Sequence, residues 1–129
     1  RHLVADADVL IENFKVDGLA KYGLDYNSLS TLNPRLIYCS ITGFGQNGPY
    51  AQRAGYDYII QGMSGLMSVT GEPGRQPQKV GVAVTDLFTG IYASTGILAA
   101  VHQRHVTGKG QHIDMSLLDV GTAMMTVHG

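Results

Sequence analysis

Short continuous apolar runs alternate along this chain with stretches of helical spacing. Residues 7–14, ADVLIENF, form one such run, and its continuity marks a buried strand. DGLAKYG, 17–23, holds about two helical turns closed by Gly23. DYNSLSTLNP, 25–34, predicts a second short helix stopped before Pro34. RLIYCSIT, 35–42, is β-branched and aromatic and predicts a second strand, followed by a loop over 43–50, GFGQNGPY. A glycine-containing helix over 56–69 and a polar, turn-rich loop over 70–78 come next. From Asp86 to about His105 the apolar positions Leu87, Ile91, Leu98 and Val101 recur near helical spacing. TGKGQ, 107–111, ends that helix; HIDMSL, 112–117, predicts a third strand and LDVGTAMMTV, 118–127, a last helix. Strands and helices in this alternation predict an α/β fold on a mostly parallel sheet.

Composition narrows the function classes. The 129 residues are 44% hydrophobic and 15% charged, which fits one soluble globular unit. Nine Lys+Arg against ten Asp+Glu leave no basic field for phosphate backbones, so no nucleic-acid partner is expected. A single cysteine, Cys39, excludes an internal disulfide or a multi-cysteine metal site and fits a reducing compartment. The most apolar run, GILAAV at 96–101, is too short to cross a bilayer, and Ser and Thr interrupt its flanks; no membrane partner is expected. No signal peptide pattern is visible. The chain opens without Met, inside a helix leading to a strand, and stops within a helical pattern. An excised piece of a longer protein is the expectation.

Several motifs invite chemistry and yield to simpler readings. GFGQNG, 43–48, matches a dinucleotide fingerprint in letters, but Pro49 follows at once and no helix start faces a pyrophosphate. TGKGQ lacks the upstream glycine and the Ser/Thr of a phosphate loop, and reads as a helix stop. His102 and His105 sit three apart on a helix with no carboxylate or cysteine to complete a metal shell. His2, His112 and His128 carry no pattern, and Cys39 reads as a buried inert thiol. Asp86 stays open between two roles. It stands at the start of an apolar helix, where an Asp is an ordinary N-cap. Small neighbours Gly81, Ala83 and Thr85 also leave room for a substrate, and an ionised carboxylate can attack an activated acyl group.

The linked motifs ENF after a strand, LNPRLIYCSITGFG with GP, AGYD, TDLFTG and TGKGQ.ID.S resemble the family III CoA-transferases of CaiB/BaiF type, over almost the whole chain. That group also contains the α-methylacyl-CoA racemases. The resemblance implies a Rossmann-like parallel-sheet large domain, incomplete in this chain, of which residues 1–129 form part. It places the catalytic aspartate on Asp86, which would carry CoA through a mixed anhydride and an aspartyl thioester. Asn13 and Phe14 would contact the CoA moiety, Lys21 would stand near its nucleotide phosphates, and Tyr22 beside it. The glycine loop 43–48 would wall the acyl pocket. Coenzyme A and acyl-CoA are substrates in this scheme, with no tightly bound cofactor and no metal. A carboxylic acid is the other substrate, and the overall similarity leans toward succinyl-type dicarboxylic donors. Racemases of the group carry His where this chain has Tyr56. With an ordinary pKa of about 10 against about 6.5 for His, Tyr56 is a poor base at neutral pH and a better hydrogen-bond donor in the pocket. The resemblance therefore favours a transferase, with a 2-methylacyl-CoA racemase or an inactive CoA-binding fragment as alternatives. It further implies an interlocked homodimer in the parent, an inactive isolated piece, and a cytoplasmic setting, or a mitochondrial or peroxisomal one in a eukaryote.

Overall fold

The computed structural model describes residues 2–126; Arg1, Val127 at the end of the last expected helix, His128 and Gly129 lie outside the described residues. In chain order the elements are α1 (His2–Ala5), β1 (Val9–Glu12), α2 (Tyr26–Leu32), β2 (Ile37–Thr42), α3 (Asp57–Met63), α4 (Val84–Thr107), β3 (His112–Ser116) and α5 (Leu117–Met124). The strands form one parallel sheet in the order β1-β2-β3, with Val9 opposite Ile37 and Tyr38 opposite His112. Parallel neighbours demand crossovers, and α2 and α4 lie in the two connections. The expected α/β class and parallel sheet are thus present, with strand bounds trimmed by one or two residues.

Pleating sends alternate residues to opposite faces. On one face Tyr38 joins Val4, Leu29 and Leu36 in a buried cluster, with Leu10, Leu24 and Tyr26 packed against it. This layer seats α1 and α2. Its polar groups are tied down: Tyr38 Oη donates to Leu24 O at 2.9 Å, and Asn33 Nδ2 donates to the carbonyls of Val4 and Ala7. Cys39 lies buried in mid-strand, and burial pushes its thiol pKa up, as an inert thiol requires.

The other face carries α4, in an arrangement that the spacing of large apolar residues does not anticipate. The buried positions of α4 are Thr85, Thr89, Ala93, Ala100 and Arg104, while Leu87, Ile91 and Leu98 are 60%, 59% and 69% exposed. A small-residue stripe rather than the apolar one meets the sheet; a Cβ built on Gly96 would lie 3.6 Å from Ile113 Cγ2. At 24 residues, with mean hydropathy 1.4 over its most apolar window, α4 is also long and apolar enough to cross a bilayer by length and composition. The run 96–101 alone understates it, because the helix continues through Ser and Thr. Ser94, Thr95 and Thr107 satisfy their hydroxyls on carbonyls one turn back.

Three further local expectations are revised. The segment 17–23 forms only a 3₁₀ turn, Ala20–Tyr22, although Gly23 does close it in the left-handed region at φ 60°. The expected helix over 56–69 breaks after Met63, where Gly65 adopts φ 88° and a 3₁₀ turn, Leu66–Ser68, follows. The long helix begins at Val84, two residues before the expected start.

Candidate active site

All three strands end at the same edge of the sheet, at Glu12, Thr42 and Ser116. Open parallel sheets bind ligands beyond that edge. There Asn13 and Phe14 after β1, Gly43 after β2 and Leu117 after β3 line a cleft of about 470 Å³, within the roughly 300–1,000 Å³ usual for small-molecule sites. Residues 53–56 and the first turns of α4, with Asp86, Thr89 and Gly90, complete the wall. What brings 53–56 to the strand end is glycine. Gly43 and Gly55 stack backbone on backbone, and a Cβ on Gly43 would run into Gly55 Cα.

The two carboxylates near the cleft have opposite fates. Asp57, at the start of α3, is buried and fully engaged. One oxygen accepts from Thr85 N at 2.8 Å, Thr85 Oγ1 at 2.6 Å and Asp86 N at 3.4 Å, and the other from Gln61 Nε2 at 2.7 Å. Gln61 in turn accepts from Val80 N at 2.8 Å, so the segment leading into α4 is clamped from α3. Burial alone would raise the Asp57 pKa; hydrogen bonds from Thr85 and Gln61, then from the Thr85 and Asp86 amides, outweigh it and hold the carboxyl below its ordinary range.

Asp86 is therefore not the N-cap of its helix. The cap position is Ala83, which makes no side-chain bond, and Asp86 stands at the third helical residue. Asp57 supplies from another helix the anionic cap that the local sequence suggested for Asp86. Relieved of that duty, the Asp86 carboxylate is exposed to the cleft and accepts no hydrogen bond among the described residues. Desolvation by the cleft walls, and then repulsion from Asp57, push its pKa above the ordinary value. An ionised oxygen with little hydrogen-bond stabilisation is a better nucleophile than a capping one.

The remaining expected residues divide. Asn13, Phe14 and Tyr56 join Asp86 around the cleft; Phe14 is 59% and Tyr56 72% exposed, so neither is packed in the core. Lys21 and Tyr22 lie apart from its wall on the 3₁₀ turn, with Lys21 Nζ 4.9 Å from the centre of the Tyr22 ring. Of the glycine loop only Gly43 faces the cleft; Gln46 N turns back to donate to Asp114 Oδ2 at 2.9 Å. His112, without a pattern in the sequence, sits between Tyr26 and Tyr38 with Nε2 2.9 Å from Ser40 Oγ, and burial lowers its pKa. His102 and His105 are exposed on α4. Asp57 is the functional residue that sequence reasoning missed. Its signal was the AGYD motif, in which it directly follows Tyr56.

The chain is 69% identical over 125 residues to the succinate–glutarate CoA-transferase of Agrobacterium fabrum, covering 97% of this chain and 31% of that protein. It is 46% identical to the acetyl-CoA:oxalate CoA-transferase of Acetobacter aceti, covering 98% and 32%. The crystal structure of a CaiB/BaiF family protein from Brucella suis superposes with a TM-score of 0.95 at 62% identity, covering 97% of this chain and 33% of that one. The chain thus spans about a third of the length of these relatives. Residues 1–128 match the family model of CoA-transferase family III, and the chain belongs to that family.

Proposed function

We propose that the protein containing this chain moves coenzyme A between an acyl-CoA thioester and a free carboxylic acid, with Asp86 as covalent carrier. The observation that carries the reading is the Asp86 carboxylate, open to the cleft and released from capping by Asp57. The names of the relatives, a succinate–glutarate and an acetyl-CoA:oxalate CoA-transferase, agree with it. An Asp86 oxygen adds to the thioester carbonyl, and collapse expels the CoA thiolate, leaving a mixed anhydride. The thiolate then attacks the aspartyl carbonyl, releases the first acid as carboxylate and leaves an aspartyl-CoA thioester. An acceptor carboxylate attacks that thioester, and the freed thiolate takes the acceptor acyl group from the new anhydride, restoring Asp86. Each step exchanges one acyl–oxygen or acyl–sulfur bond for another, with no net proton transfer. Exclusion of water decides between transfer and hydrolysis.

On this reading Asn13 and Phe14 hold the CoA arm, and Tyr56 donates to an acyl or carboxylate oxygen. Lys21 and Tyr22 serve the nucleotide end, away from the cleft. We assign residues 1–129 to the large domain of an interlocked homodimer acting in the cytoplasm or an organelle matrix. The isolated piece is then inactive; exchange catalysed by these 129 residues alone would contradict that assignment. In the full-length enzyme Asp86→Ala abolishes exchange between acyl-CoA and acid, and retained turnover would sink the mechanism. Hydroxylamine should release the CoA held on the wild-type aspartate and find nothing in the variant. Rapid deuterium uptake at the α-carbon in D₂O would move the assignment to the racemase branch.

A further inference from the structure

We infer that Arg53 reads the second, non-reacting carboxylate of a dicarboxylic substrate, an inference that rests on the transferase reading above. Arg53 lines the same cleft as Asp86, on the segment that the Gly43–Gly55 approach pins to the end of β2. Its Cζ lies 4.3 Å from the centre of the Tyr50 ring. Phe44 braces Tyr50 edge-on at 5.4 Å and 70°, and Phe44 itself abuts Gly55. The stem of Arg53 is anchored from its own amide, which donates to Tyr50 O at 2.8 Å. Yet among the described residues the guanidinium makes no ion pair and no hydrogen bond. An aromatic support loses less entropy on binding than a free surface arginine does, and the planar fork of donors matches a carboxylate bidentately.

The charges around the cleft favour that use. Its lining holds two cations, Lys15 and Arg53, against the single carboxylate of Asp86. Lys15 directly follows the Asn13–Phe14 pair on the β1 wall and also borders a second cleft of about 290 Å³, whereas Arg53 neighbours Tyr56 on the opposite segment. A ligand whose reacting carbonyl meets Asp86 and whose far end is anionic satisfies both charges at once. A monocarboxylic acid of equal length leaves the guanidinium without a partner. The arginine then discriminates by the absence of a contact rather than by a clash.

The test uses the full-length enzyme with one acyl-CoA donor and two acceptors of matched length, glutarate and valerate. The readout is the ratio of kcat/KM for glutarate over valerate. Arg53→Met should lower that ratio by roughly ten- to a hundredfold, the range expected for losing a charged hydrogen bond. Arg53→Lys, which keeps the charge and the fold but loses the fork, should give an intermediate ratio. An unchanged ratio in both variants, with the KM for acyl-CoA raised and both acids slowed alike, would reassign Arg53 to a CoA phosphate and overturn the inference alone. No exchange by the wild-type enzyme with any acid would overturn the transferase reading, and this inference with it.

Discussion

At its C-terminal end α4 buries Arg104 and ties down both terminal nitrogens, leaving only Nε without a partner among the described residues: the guanidinium meets Asp8 Oδ1 at 2.8 Å and the carbonyls of Arg35 and Asp8 at 3.0 and 3.2 Å. At its N-terminal end the same helix exposes Asp86 to the cleft, where its carboxylate accepts no hydrogen bond among the described residues. Asp57 is buried like Arg104, with both carboxylate oxygens engaged, and stands beside Asp86. The charges of Asp57 and Arg104, which hold the fold, are met by several donors or acceptors each. The charge left without a hydrogen-bond partner among the described residues lines an open cleft.

Asp86→Asn should break the contrast most visibly. In the full-length enzyme we expect turnover to fall by on the order of a thousandfold or more, with unfolding free energy changed by no more than about 0.5 kcal/mol. A large loss of stability would show that Asp86 is structural after all. Arg104→Met should do the reverse. Two backbone carbonyls lose their donor, and denaturant unfolding should report a loss of about 2–4 kcal/mol, with kcat near normal in the surviving folded enzyme. An unshifted midpoint would remove Arg104 from the structural side.

Asp57→Asn lies between the two. The new amide faces Gln61 Nε2, donor against donor, so the clamp on residues 80–86 weakens at a cost of about 1–3 kcal/mol. Removing the negative charge also removes its repulsion of Asp86, so the acid limb of kcat/KM should move to lower pH. A purely structural Asp57 would leave that limb in place. The smallest effect is in the wild-type stability profile. Asp86 has a folded pKa above its unfolded one, so its ionisation opposes folding as pH rises, and acidification from neutrality relieves this first. Asp57 has a depressed folded pKa. Its stabilisation is complete above the ordinary carboxylate range and is lost as pH falls through the lower value. Melting temperature should thus rise slightly and then drop on acidification, and in Asp86→Asn the initial rise should vanish.

Much of the fold was legible because strand and turn signals are local. The apolar runs located β1, β2 and β3, and Gly23 and Gly108 marked their helix stops with left-handed backbones. The orientation of α4 was not legible. Periodicity reports which residues share a face and is silent on which face meets the sheet, and here Thr89, Ala93 and Gly96 do so while Leu87 and Ile91 do not. The cap exchange was hidden for a related reason. Asp57 and Thr85 are 28 residues apart, and only the folded chain sets them side by side. A local string therefore offered Asp86 as the natural cap.

The small-residue face of α4 has a mechanical consequence. Gly96 faces the Ile113 and Met115 side chains of β3 with no side chain of its own, and this contact acts as a fulcrum, with Asp86 about 15 Å away along the rod at 1.5 Å per residue. A tilt of about 4° swings the far end by about 1 Å, a displacement large enough to cost on the order of a hundredfold in rate. One added methyl at Gly96 meets only ordinary contact distances, but a leucine there would lever Asp86 away from its place on the cleft wall.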